Sequence, residues 1–253
     1  MAESLIRWLR DACSRYRVEP LAVYRASAGH SWPLVARDEA DLQDALKDGG
    51  HFLPLPKEPA ALANVLEVSL VNFVLDELHS MKGATAQRGT ERGYPDIEIA
   101  GERFGGGYHA VDVKVARRKK TGASTQSRIT LYTGNTYFRY PQLHWPGTFR
   151  PFNEYQSHLD LIILYTLDAS SLSRARDIEL VVQEAWKIGS KQRSSTTREY
   201  LGAVTSIRDL REGKGEFNTE EAFYAYWRKF NFKIGKAVQK QLDRLLAKQS
   251  SKT

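Results

Sequence analysis

The sequence predicts an α/β fold, and three observations carry that prediction. Tyr94-Pro95-Asp96-Ile97-Glu98-Ile99 and Ala110-Val111-Asp112-Val113-Lys114-Val115 each have the make-up of a strand. The stretch between them holds Gly101, Gly105, Gly106 and Gly107, so the pair reads as a hairpin with a glycine-rich loop. Residues 59 to about 81 carry Leu62, Val65, Leu66, Leu70, Val71, Phe73, Val74, Leu75 and Leu78, the pattern of a mostly buried helix. Residues 159–165 and 178–185 are short apolar runs of the length of strands, the first of them buried. A chain of 253 residues suits one large domain, or one domain with a small accessory lobe.

In chain order, residues 2–16 place Leu5, Ile6, Leu9, Ala12 and Cys13 at helical spacing, a short amphipathic helix suited to core packing or a subunit contact. Residues 20–35 read as irregular or β-like, and 41–47 as a helix stopped by Gly49-Gly50. After the long helix and the hairpin come Arg117-Arg118-Lys119-Lys120 and a polar segment to Ser127. Residues 128–139 and 159–166 read as further parts of the core. Residues 190–198 form a polar, basic loop. A helix then begins at Asn218, with Glu220 and Glu221 in its first turn and Phe223, Tyr226, Trp227 and Phe230 on one side. The C-terminal helix carries a basic stripe of Lys233, Lys236, Lys240, Arg244 and Lys248, and the polar tail from Lys248 is expected to fray.

Side chains alternate across a strand, so Asp112 and Lys114 share a face while Val111, Val113 and Val115 take the other. Two carboxylates and an ammonium at the mouth of a hairpin can hold a hard cation and a water beside a phosphate, the arrangement phosphodiester hydrolysis needs. Asp-x-Lys alone is a weak signal, and Glu212-Gly213-Lys214 is a rival match in a turn-like setting. The plainer reading is a strand-entry aspartate and a solvated ion pair. Glu67 interrupts the apolar helix: either it has a cationic, metal or hydrogen-bonding partner, or it faces a solvent strip beside Asn64.

The net charge of +7, from 37 basic and 30 acidic residues, favours a polyanionic partner. The basic run 117–120 is placed to touch phosphates, and the loop 190–198 to read base edges; both also fit solvated loops. With Cys13 the only cysteine, an intrachain disulfide and a cysteine-built zinc site are excluded. The N-terminus lacks a signal-peptide core and no apolar run reaches membrane-spanning length, so a reducing cytoplasm and no membrane contact are expected.

Taken together, Tyr94-Pro95-Asp96, the strand through Asp112 and Lys114, Pro151-Phe152-Asn153-Glu154-Tyr155 with His158, and Glu212-Gly213-Lys214-Gly215 through Phe217 to Tyr226-Trp227-Arg228 resemble the EcoRV-like type II restriction endonucleases of the PD-(D/E)xK superfamily. Order and spacing are kept from about Leu62 to Phe230; the last twenty or so residues do not align. The resemblance implies a central mixed β-sheet flanked by helices, with dimerisation and DNA-recognition elements. It implies one domain over residues 1–253: an N-terminal dimerisation and packing region (1–58), a catalytic core (59–185), and a recognition loop with C-terminal helices (186–253).

By position it also implies that Asp96 and Asp112 bind metal, that Lys114 is the catalytic lysine, and that Glu67 is the helix carboxylate of the site. The carbonyl of Val113 is a further metal ligand. Mg²⁺ is the implied cofactor, with Mn²⁺ as a substitute. Thr136 falls near the DNA backbone, the segment Arg193, Ser194, Ser195, Thr196, Thr197, Arg198 falls at the major-groove loop, and Thr90, Glu91 and Arg92 at a second recognition strip. Arg117, Arg118 and Lys119 join the DNA-binding set. The chain departs from the family at Arg193-Ser194-Ser195, where a glycine-rich start is usual, at 90–92, and at Ala60, near the place of a lysine. The implied partners are double-stranded DNA, a second copy of the chain, and a methyltransferase acting on the same DNA site. The implied reaction is double-strand cleavage at a short palindrome to blunt 5′-phosphate and 3′-hydroxyl ends. The alternatives are a repair or junction-resolving nuclease of the same superfamily and a non-catalytic DNA-binding protein on this fold.

Overall fold

A computed structural model describes residues 4–17, 38, 40, 59–90, 93–168, 170 and 174–250. The expected elements at 20–35 and 41–47 lie outside the described residues, as do residues 251–253 of the tail expected to fray, whose residues 248–250 instead continue the last helix. Two sheets organise the rest. The larger has strands β1 (Thr85–Arg88), β2 (Ile97–Ala100), β3 (Tyr108–Arg117), β5 (Tyr155–Leu167) and β6 (Ala175–Glu184), in the order β1-β2-β3-β5-β6. Its pairings are antiparallel except for β3 with β5, which run parallel. The mixed sheet expected from the resemblance is therefore present. The smaller sheet has the order β4-β8-β7, from β4 (Thr130–Tyr132), β7 (Gly189–Arg193) and β8 (Leu201–Ala203).

Helices α1 (Leu5–Arg15) and α2 (Pro59–His79) cover one face of the large sheet, with α1 on β6 and α2 on β3 and β1. The apolar stripe of α2, from Leu62 through Leu66 and Leu70 to Leu78, meets Val111, Val113, Leu159, Leu161 and Ile163. The opposite face packs Ala110, Ala116, Ile162 and Leu164 against the small sheet and the aromatics of α5 (Glu220–Lys229), among them Phe223 and Trp227. A short helix α3 (Thr136–Arg139) lies between β4 and β5. Asn135 ties α3 to the end of α5 by donating to the carbonyls of Trp227 and Phe230.

Several details differ from the sequence reading. The first strand of the hairpin begins at Ile97, so Asp96 lies in the turn before it. Residues 190–193 continue β7 rather than opening a loop. A short helix α4 (Ile207–Glu212), capped by the Ser206 side chain and ended by Gly213 at φ 63°, precedes Lys214 and was not foreseen. Thr219, not Asn218, caps α5, its hydroxyl accepting from the Ala222 N–H. Lys233 precedes the last helix, α6 (Lys236–Ser250), which is held by Leu242 against Leu143 and Trp145. Among the described residues no helix is long and apolar enough to cross a membrane.

Candidate active site

β3 outruns its neighbour β2: the pairing begins at Ile97 opposite Val111, so among the described residues no strand pairs with residues 112–117 of β3 on that side. The exposed edge is taken over at one point by a side chain, since Asp96 Oδ2 accepts from the Val113 N–H at 2.6 Å. That contact brings the Asp96 carboxylate beside Asp112. Asp96 is held there by Gly89, whose N–H donates to the Asp96 carbonyl at 2.7 Å. A Cβ at Gly89 would stand 2.0 Å from the Pro95 carbonyl oxygen, so the close approach that fixes the turn admits only glycine. Within a strand residue N–H and C=O point to the same side, so the Val113 carbonyl also faces this open edge.

Lys114 Nζ donates to Asp112 Oδ2, and the Asp112 side chain is nearly buried. Burial, then the charge and hydrogen bond of Asp112, push the Asp96 carboxyl up to about 8, partly offset by Lys114. Burial works against the Lys114 ammonium, but Asp112, Asp160 and Asp96 together outweigh it and hold the pKa above the usual lysine value. Glu67 projects from α2 at the rim, half-buried next to the exposed Asn64, and lines the same cleft as Lys114. Burial raises its pKa, and Lys114 and Asp112 are the next strongest influences on it. Among the described residues no three His, Cys, Asp or Glu side chains gather into a ready-made metal cluster. The donor set nonetheless fits a hard divalent cation: two aspartates crowded together, their charge offset only in part by Lys114.

A cleft of about 840 Å³ opens from this point, lined by Glu67, Lys114, Arg117, Arg128, Thr130 and Tyr200. The second sheet brings the predicted recognition loop to its edge: Ser194 Oγ lies 2.7 Å from Thr130 Oγ1. Ser195 Oγ accepts from the N–H groups of Thr197 and Arg198, which gives the loop its own turn, and leaves Thr196, Thr197 and Arg198 exposed. Arg193 pairs with Glu199 at 3.3 Å. Thr136 is half-buried at the start of α3. Of the basic run, Arg117 lines the cleft and Lys119 is exposed, but Arg118 is turned inward to Glu179 at 2.5 Å. Glu91 and Arg92 lie outside the described residues.

The model of the restriction endonuclease EcoRV family matches residues 29–249. The chain belongs to the EcoRV restriction endonuclease family. A similar protein is the type II restriction enzyme EcoRV of Escherichia coli, 20% identical over 198 residues, covering 72% of this chain and 78% of that one. The match spans both sheets, the turn at Asp96 and the residues that line the cleft, and the family is one of restriction endonucleases.

Sequence reasoning missed one carboxylate. Asp160 of β5 stands opposite Asp112 on β3 and is 2% exposed. Burial pushes it up to about 8, Lys114 pulling it down and Asp112 raising it further. The signal was in the sequence: an aspartate inside the apolar run Leu159-Asp160-Leu161-Ile162-Ile163-Leu164 is as anomalous as Glu67 in its helix. His158, two residues earlier, is explained by structure: its Nδ1 meets Tyr94 Oη at 2.7 Å and burial lowers its pKa to about 3, so it packs as a neutral ring.

Proposed function

We propose that the chain is a type II site-specific deoxyribonuclease that cuts both strands of a short palindromic DNA site, leaving blunt 5′-phosphate and 3′-hydroxyl ends. The observation that carries this reading is the convergence of Asp96, Asp112 and Lys114 at the open edge of β3, where Lys114 lines a cleft bordered by the loop 194–200. Asp96, Asp112 and the Val113 carbonyl would hold Mg²⁺, or Mn²⁺ in its place, with Glu67 reaching its outer waters from the rim. When bound, the cation acidifies a water and offsets charge on the scissile phosphate.

Lys114 would orient the attacking water and donate to the phosphate oxygen on which charge accumulates. The water oxygen forms a bond to phosphorus, the bond to the 3′ oxygen breaks, and that oxygen takes a proton to leave as the 3′-hydroxyl. The exposed Thr196, Thr197 and Arg198 would read base edges, and Lys119, Arg117 and Thr136 would meet phosphates. Arg118 fits a different place in this scheme, as the internal brace of the basic run through Glu179.

One cleft addresses one strand, so double-strand cleavage calls for a twofold dimer on a palindrome. A methyltransferase protecting the same site, in a prokaryotic cytoplasm, completes the proposed setting. The test is to incubate the protein with phage DNA of known sequence and Mg²⁺, beside a chelator control, and to sequence the fragment ends. Discrete fragments that share one palindrome establish the reading. Junction-dependent cutting points to a repair nuclease, and tight binding without cleavage under either metal points to a non-catalytic DNA-binding protein.

A further inference from the structure

Asp160 has no role in the scheme above, yet it is deep in the sheet beside it. Parallel register puts Asp160 next to Asp112 and Ile162 next to Lys114, and neighbouring side chains in register point to the same face. Asp112, Lys114 and Asp160 therefore share one face. Asp160 Oδ2 is fully buried and, among the described residues, has no hydrogen-bond partner. A buried carboxylate oxygen left unpaired is costly and calls for an explanation.

Its neighbours on that face are committed elsewhere. Across β6, Gln183 is the register partner of Asp160, and its amide nitrogen donates to the Arg211 carbonyl at 2.7 Å. His158 is held by Tyr94, and Ile162 has nothing to donate. Among the described residues the nearby donors are Lys114, whose long, flexible side chain already reaches back along β3 to Asp112, the Tyr224 hydroxyl, which is engaged by Glu220, and the buried Tyr132 hydroxyl.

Lys114 has the strongest claim, because its present partner is the residue proposed to hold a cation. A cation on Asp112 competes directly with the ammonium for the same oxygens. The displaced ammonium then needs a second carboxylate close by, and the strand spacing of about 4.8 Å puts Asp160 within reach of it. We infer that Asp160 is a positioning residue, the carboxylate that holds the Lys114 ammonium at the site when Asp112 turns to the divalent cation. This inference rests on the metal-site reading proposed above for Asp112.

The experiment is a double-mutant cycle read first by Ca²⁺ binding, followed by calorimetric titration of the intact protein without DNA. Asp160→Asn keeps the shape of the side chain and removes its charge. It is expected to weaken Ca²⁺ about 10–100-fold, because cation binding then strands a buried ammonium. In a Lys114→Met background the same substitution should change Ca²⁺ affinity little, since there is no ammonium to rehouse. In a Tyr132→Phe background its effect should persist.

Cleavage by Asp160→Asn should slow by a similar factor with KM for DNA unchanged, and its metal-free melting temperature should equal or exceed that of the parent, because a buried acid whose charged form is disfavoured is gone. Unchanged Ca²⁺ affinity in Asp160→Asn overturns the inference. An effect that survives Lys114→Met, or disappears in Tyr132→Phe, overturns it too, by assigning Asp160 to the cation or to the tyrosine. A lower melting temperature with normal turnover would make Asp160 a packing residue only. If the parent protein binds Ca²⁺ but cuts no DNA, the nuclease reading fails while the cycle still decides the pairing.

Discussion

The two faces of β3 are built on opposite terms. Val111 and Val113 point into an aliphatic core under α1 and α2, with Leu161, Ile163 and Leu66 around them, all essentially buried. Asp112 and Lys114 point the other way, beside Asp160 and Asp96, where carboxylates outnumber the ammonium and burial raises the pKa of both Asp96 and Asp160. One face holds the strand in place through well-packed apolar contact; the other tolerates charge that the fold by itself would reject. The division suggests that the stability of the apolar face is what lets the polar face remain poised for a cation and a phosphate.

The division is broken most severely at Lys114. Lys114→Ala should lower cleavage by about a thousandfold, in the range found when a donor to a developing oxyanion is removed, and leave DNA affinity within a few-fold of the parent. Single-turnover cleavage beside a binding titration in Ca²⁺ reads both. On the other face, Leu161→Ala should cost about 2–5 kcal/mol of stability, from lost burial plus the cavity left behind. Urea denaturation measures that loss, and the folded fraction of this variant should cleave at the parent rate. A slow Leu161→Ala enzyme that is fully folded would show that the two faces are not separable.

A weaker but more specific contrast comes from pH. Asp96 and Asp160 have folded pKa values near 8, above the 3.8 of a free aspartate. Between those values the native state binds more protons than the unfolded chain, so metal-free stability is highest below the unfolded pKa and falls as pH rises toward 8. After allowance for solvent screening and for the coupling of Asp96 with Asp112, a fall on the order of 2–3 kcal/mol is expected between pH 5 and 8.5. Thermal melting in chelator should show it, saturating Ca²⁺ should flatten it, and Asp160→Asn should remove part of it. A metal-free stability that rises through this range would refute the charge imbalance.

The apolar face was the legible one. Its helix and strands follow from residue periodicity alone, since burying one stripe or one run leaves few arrangements. The motif residues Asp96, Asp112 and Lys114 were legible as well, because a proline-aspartate pair and an acid two before a lysine sit in strand context. Asp160 was not found, although it stands in full view inside an apolar run, because its significance depends on register. Only the pairing of β5 with β3 puts it next to Asp112. Arg118 is one of four like charges in a row, and no local pattern distinguishes it from Lys119. Its partner Glu179 is far along the chain, on β6, and helix α4 brings Arg211 to the same carboxylate.

That pair of neighbours gives the smallest effect and the finest test. Arg118 is buried against Glu179, with its Nε unpartnered, while Lys119 is exposed. Lys119→Ala should weaken DNA binding a few-fold at low salt and reduce the slope of log affinity against log salt by about 0.9, the signature of one lost phosphate contact. Arg118→Ala should leave that slope unchanged and instead lower stability by about 1–3 kcal/mol, because Glu179 loses one of its two guanidinium partners in a partly buried site. Fluorescence anisotropy across a salt series and a melting curve on each variant separate the outcomes. If Arg118→Ala reduces the salt slope as Lys119→Ala does, the arginine reaches DNA in the complex, and the ion pair with Glu179 is one it exchanges for a phosphate.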